Sequence, residues 1–204
     1  MVYKDEFVIN KQDILQLLYE IGKKLTERNQ TGSLVICGGA AMALLFNARD
    51  LTHDIDSQFK PEENIQDFKS IIDEITREKN LPDNHWCNDD FSMFSDDYCK
   101  NLNSQYFQSF QNLDVFTMSP ESLLAMKLVS ARPRSLDRPD AIVIMKALGI
   151  RSMDEINKIV DEHLITDKMH PDEARRVKSF IVDTFEDYQC QICPNEDAAK
   201  GFRS

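Results

Sequence analysis

"LVICGGAAMALLFNARDLTHDIDSQFK", residues 34–60, is the stretch whose reading decides the fold. The run SLVIC at 33–37 is apolar and β-branched, long enough for a buried strand and too short for a helix. Gly38 and Gly39 break it, and AAMALLF then resumes with strong helix formers, so strand, tight turn and helix follow one another. THDIDSQF at 52–59 alternates with period two, putting Ile55, Ser57 and Phe59 on one face of a strand and Asp54 and Asp56 on the other. Two carboxylates projecting the same way repel each other and resist burial. Either they lie on a solvated edge strand of an acid-rich chain, or a divalent cation compensates them.

The glycine pair has the same two readings. It is a tight turn, or it lets a ligand approach the backbone where the first N–H groups of a helix attract phosphate. Taken together, a phosphate site at the helix start and a cation site on the next strand are what phosphoryl or nucleotidyl transfer requires. That chemistry is mostly positioning and charge neutralisation.

Outward from this centre the chain alternates and then turns helical. INKQDILQLLYEIGKKL spaces Ile14, Leu15, Leu17, Leu18, Ile21 and Leu25 for an amphipathic helix, with Asn10 as N-cap. Residues 61–80 form a helix opening at Pro61, with Ile65, Phe68, Ile71, Ile72 and Ile75 on one face. Residues 85–110 are polar, aromatic and poorly periodic, and are expected to hold short helical turns and one strand. LDVFTM at 113–118 is a strand. SPESLLAMKLVSA follows as a helix capped by Ser119 with Pro120 in its first turn. Three more helices are expected in DRPDAIVIMKALGI, ended by Gly149, in SMDEINKIVDEHL and in HPDEARRVKSFIVDTFEDY. The expected organisation is an α/β lobe over 1–118 and a helical lobe over 119–204.

The chain has 42% hydrophobic and 29% charged residues, the balance of a folded domain. Its formal charge of −11 repels phosphate backbones, so an extended nonspecific grip on nucleic acid is excluded while a local basic patch is not. No stretch approaches the ~20 apolar residues of a membrane span, and the N-terminus lacks the apolar core of a secretion signal, so the expected location is cytoplasmic. Five scattered cysteines are read as reduced thiols. Cys190 and Cys193 have zinc or redox spacing without a second pair, and an ordinary pair near a helix end is the plainer reading. His53 is adjacent to Asp54 but on the other strand face, and His85, His163 and His170 show no ligand spacing, so no zinc site is expected. Trp86 is expected to pack the sheet or cover the pocket.

The glycine turn at Gly38 and Gly39, the short helix, and the strand with Asp54 and Asp56 resemble the nucleotidyltransferases of the DNA polymerase β superfamily. ARDLTHDID, HWCND (Trp86, Asn88, Asp89) and SPESLLAMKLVSARPRSLDRPDAIVI look like the small bacterial families related to the AbiEii abortive-infection toxins. The likeness covers roughly 33–148. It implies an α+β fold in which a mixed sheet flanked by helices precedes a helical lobe, and a Mg2+- or Mn2+-dependent transfer of a nucleoside monophosphate from an NTP. The acceptor hydroxyl would be on a protein, an RNA end or a small molecule, in a toxin–antitoxin or phage-defence setting. It implies metal binding by Asp54 and Asp56, phosphate binding by Gly38 and Gly39, and a site completed by Lys127 and Asp140. Lys127 would neutralise triphosphate charge; its plain alternative is a solvated helix lysine. Arg49 would touch phosphate or pair with the carboxylates, or form a surface ion pair.

The resemblance also implies a third carboxylate on a neighbouring strand. Asp114 is the candidate by position, and Asp140 is the alternative unless it orients Lys127 instead. Arg132, Arg134 and Arg138 either meet an anionic substrate or form interlobe salt bridges with Asp137 and Asp140. The turn is Gly-Gly-Ala rather than Gly-Ser, and this departure keeps a second class in view, a non-catalytic nucleotide-binding or protein-interaction module paired with a partner protein.

Overall fold

The computed structural model describes residues 7–60, 65–83, 85–89, 102–131, 135–164 and 169–192. Helix α1 (Lys11–Glu27) starts at a capping box in which Asn10 accepts from the Gln12 and Asp13 amides while Asp13 accepts from the Asn10 amide. Strand β1 (Gly32–Ile36), helix α2 (Gly38–Phe46) and strand β2 (Ile55–Lys60) follow, then helix α3 (Ile65–Lys79). Pro61 lies outside the described residues. Two strands, β3 (Cys87–Asn88) and β4 (Ser104–Phe110), occupy the stretch expected to hold one. Strand β5 (Leu113–Met118) precedes α4 (Pro120–Ser130), α5 (Asp137–Leu148), α6 (Met153–His163) and α7 (Pro171–Ile192).

The five strands form one mixed sheet in the order β3-β2-β1-β5-β4. β1 runs antiparallel to β2 and parallel to β5, β3 is parallel to β2, and β4 and β5 form an antiparallel hairpin. The architecture is the expected α+β one. β1 pairs Leu34 with Phe59 and with Val115, so these three share a face, and all are buried. Phe68 of α3 stacks on Phe59 with ring centroids 4.2 Å apart. Lys24 of α1, buried along its stem, reaches Glu74 and Glu78 of α3 at 2.7 and 2.6 Å and ties the two helices together. The opposite face carries Ser33, Val35, Asp56, Gln58, Asp114 and Phe116, none of them fully buried.

One strand boundary differs from expectation. β2 begins at Ile55 rather than at Thr52, because Thr52 makes an isolated bridge with Ile9 ahead of α1 and the chain joins the sheet only where the Ile55 amide donates to the Trp86 carbonyl at 2.7 Å. Asp54 therefore stands just before the strand and Asp56 within it. Among the described residues no helix is long and apolar enough to cross a membrane.

Candidate active site

β1 delivers the chain to the turn with the Cys37 amide donating to the Asp56 carbonyl at 2.9 Å, one step beyond the last strand pair. Gly38 then adopts φ +61°, a left-handed conformation that side chains other than glycine adopt at a cost. A Cβ on Gly38 would collide with Oδ2 of Asp56. The first glycine is thus demanded twice, by the backbone angle and by the carboxylate lying against it. Gly39 is demanded by space: a Cβ there would stand 2.5 Å from Thr52 Oγ1 and 2.7 Å from Arg49 Nη1. The turn is where the loop carrying Arg49 and Thr52 and the strand carrying Asp56 close on the start of α2.

That helix start is open to an anion. Cys37 makes no side-chain cap, and the first turn of α2 contains no acid. The other end is closed, since Lys11 Nζ donates to the Leu44 carbonyl at 3.0 Å and to Asn47 Oδ1 at 2.8 Å. A cation at the C-terminal end follows the helix dipole, and the same dipole favours an anion at the N-terminal end. α2 is apolar all round and buried from Gly39 to Leu44, which fixes it as a rigid support for its first turn.

Behind the turn lies a buried ionic chain. Asp140, in the first turn of α5, takes both Nε (3.2 Å) and Nη2 (2.5 Å) of Arg49. It also pairs with Lys127 Nζ at 3.0 Å. Lys127 continues to Asp137 Oδ1 at 3.0 Å, and Ser135 donates to Asp137 Oδ2 at 2.6 Å. Lys127 is only 6% exposed, so it is neither solvated nor snorkelling. Asp140 stands between the Arg49 that covers Gly39 and the Lys127 of α4. The four charges cancel, which is what allows the cluster to be buried.

The predicted acids separate into two groups. Asp56 stands against the turn, with Asp54 two residues before it. Asp114 shares the sheet face of Asp56, but the register places it in the row of Ser33 and Lys60, four residues or about 13 Å along the strands from the row of Asp56, with β1 between the two. It is exposed there and accepts a hydrogen bond from Ser109 at 2.5 Å. The structure does not bring Asp114 to the glycine turn. Asp89, which sequence reasoning named only within HWCND, follows β3 at the acidic end of β2, where Asp56 pairs with Asn88. Its position is visible at Cys87: burial, then the charges of Asp56, Asp89 and Asp54, push that thiol up to about 12, against a lowering hydrogen bond from Ser57. Cys87 should therefore resist iodoacetamide at pH 8 in the native protein while exposed Cys190 is alkylated, as peptide mass spectrometry would show. Fast modification of Cys87 would contradict this packing.

Arg138 does not pair with Asp137 or Asp140. It bonds Asp187 at 3.0 Å and Asp183 at 3.3 Å on α7 and lies over the Phe180 ring, because Asp137 and Asp140 are already taken by Lys127 and Arg49. Arg132, Arg134 and Cys193 lie outside the described residues. His53 is turned from the acids to the Phe7 carbonyl, 3.1 Å away. Trp86 is buried and donates to Thr76 Oγ1 of α3 at 2.8 Å, a packing role. Among the described residues no three His, Cys, Asp or Glu side chains are gathered to hold a metal ion. Two carboxylates still suit Mg2+, an oxygen-seeking ion that usually takes one or two protein carboxylates and completes its shell with substrate phosphates and water.

An acidic strand set against a glycine turn at an open helix start is an arrangement suited to nucleotide phosphates. The chain belongs to a family of nucleotidyltransferases of unknown function, DUF6036, whose model matches residues 12–192. Membership carries with it an NTP as substrate class. Nothing among curated proteins or solved structures matches the chain.

Proposed function

We propose that this protein transfers a nucleoside monophosphate from an NTP to an acceptor hydroxyl, with Asp54 and Asp56 holding Mg2+ or Mn2+. The observation that carries the reading is the closeness of the Asp56 carboxylate to Gly38, which sets one acid beside the start of α2, with Asp54 two residues before it in the chain. The amides of the α2 first turn would bind the outer phosphates, and Arg49, fixed by Asp140, stands on that turn as a further cation. When bound, the divalent ion supplies charge neutralisation of the triphosphate and acidifies the acceptor hydroxyl. Asp54 and Asp56 would hold that ion, and the acceptor oxygen would bond to the α-phosphorus as the bond to pyrophosphate breaks, the acceptor's proton passing to solvent and pyrophosphate leaving toward the helix start. Lys127 acts through Asp140 rather than as a free cation, and the field of Asp89 takes the place expected for Asp114.

The charge of −11 favours a protein or small-molecule hydroxyl over a long RNA as acceptor. The likeness of ARDLTHDID and the α4–α5 segment to AbiEii-related proteins supports a toxin–antitoxin or phage-defence setting. A labelled-NTP transfer assay in lysate, with Asp54→Asn as control, tests the reading. The variant is expected to lose labelling by at least about a hundredfold. Equal labelling by variant and parent would overturn the assignment. Calorimetric binding of Mg-NTP with no transfer by the parent would support the nucleotide-binding module instead.

A further inference from the structure

We propose that β4 is a self-association edge, through which two copies of this chain pair antiparallel and extend the sheet across a two-fold axis. β4 is the last strand of the sheet, seven residues long, and among the described residues it is hydrogen-bonded to β5 on one side only. The alternation of an antiparallel pair turns every second backbone N–H and C=O outward, a row of strong donors and acceptors. Its side chains are exposed from Ser104 to Tyr106 and again at Gln108 and Ser109, and Tyr106 is 60% exposed. Proteins that keep such an edge free protect it with Lys, Pro, inward charges or a bulge, and of these β4 carries the irregularity between Tyr106 and Gln108. Here residues 101–113, NLNSQYFQSFQNL, contain no charged residue and no proline in a chain that is 29% charged. The strand is built to be covered.

The same absence of charge selects the occupant. A foreign partner for a chain of net charge −11 would be basic and would seek its acidic surfaces, not this neutral strip. A second copy carries the same −11, so a charge-free edge is a place where two copies can meet without like-charge contacts. An isologous pair also solves the geometry. The irregularity between Tyr106 and Gln108 adds local twist, and a second β4 carries that twist by construction, whereas a straight external strand would have to acquire it. Gln105, Tyr106, Gln108 and Ser109 then face their counterparts as hydrogen-bonding polar pairs.

Sedimentation velocity of the full chain over a wide concentration range tests this, alongside Gln105→Glu/Gln108→Glu, a near-isosteric double variant that sets like charges across the axis. The parent is expected to sediment at twice the chain mass, and the folded variant to dissociate roughly tenfold or more readily. Amide hydrogen exchange of the parent supplies a second readout that needs no variant: protection at residues 104–110 should rise with concentration. A parent that is monomeric at every concentration overturns the proposal. So does a dimer that leaves the 104–110 amides unprotected, or one that survives unchanged in the folded double variant.

Discussion

Gly38→Ala is expected to leave the protein folded and to reduce nucleotidyl transfer by about a hundredfold or more. The new methyl group meets Oδ2 of Asp56, so the carboxylate, the strand end that carries it or the helix start must move by more than a bond's slack. Misplacing a reacting group by about 1 Å costs on the order of a hundredfold in rate. The backbone angle of +61° adds a strain of roughly 1–2 kcal/mol, a modest fraction of a domain's stability. Gly39→Ala makes the useful contrast. Its Cβ meets the Thr52 hydroxyl and the Arg49 guanidinium that Asp140 holds, so the displacement falls on the ionic chain behind the turn and not on the Asp56 carboxylate. Transfer should therefore fall less in Gly39→Ala than in Gly38→Ala. Labelled-NTP transfer together with a thermal melt measures both. Near-parental transfer by Gly38→Ala would mean that Asp56 does not work from its place beside the turn.

The parts of this arrangement that sequence exposes are those coded by neighbours in the chain. SLVIC, the two glycines and AAMALLF announce β1, the turn and α2 because composition changes abruptly at each boundary. Ser119 and Pro120 mark the start of α4, and Gly149, at φ +66°, marks the end of α5. The hairpin of β4 and β5 is half hidden for a physical reason: β4 lies at an edge with both faces wet, so it lacks the apolar alternation that reveals a half-buried strand. β2 is misjudged at its start because Thr52 finds its partner in Ile9, far away in sequence.

The acids show the same limit more sharply. Asp114 has the right strand and the right face, and alternation within a strand says no more than that. Only the pairing register, in which Ser33 is level with both Asp114 and Lys60, reveals how far along the sheet it stands from Asp56. Asp89 reaches the acidic end of β2 through a two-residue strand that no periodicity could mark. Arg49 and Asp140 are 91 positions apart, and nothing local to either states that they meet. Their residue types were legible as site candidates; their partnership was not.

That partnership sets the second large effect. Lys127→Met is expected to destabilise the fold by about 3–5 kcal/mol, since the lysine is the shared counter-charge of two carboxylates that are 1% and 3% exposed. Removing it takes from Asp137 the ammonium at 3.0 Å, and leaves Asp140 with Arg49 as its counter-charge. For a chain of this length the loss corresponds to a fall in Tm of about 10 °C. A second substitution separates lost charge from lost packing. If the damage comes from an orphaned buried charge, Asp137→Asn added to Lys127→Met should recover part of the stability, although Asp137→Asn alone destabilises. Denaturant unfolding of the parent, both single variants and the double variant measures the coupling. A Lys127→Met protein of parental stability that has lost Mg-NTP binding would place the lysine in the nucleotide site as a free cation, and would reduce the ionic chain behind Gly39 to a resting arrangement that the nucleotide breaks.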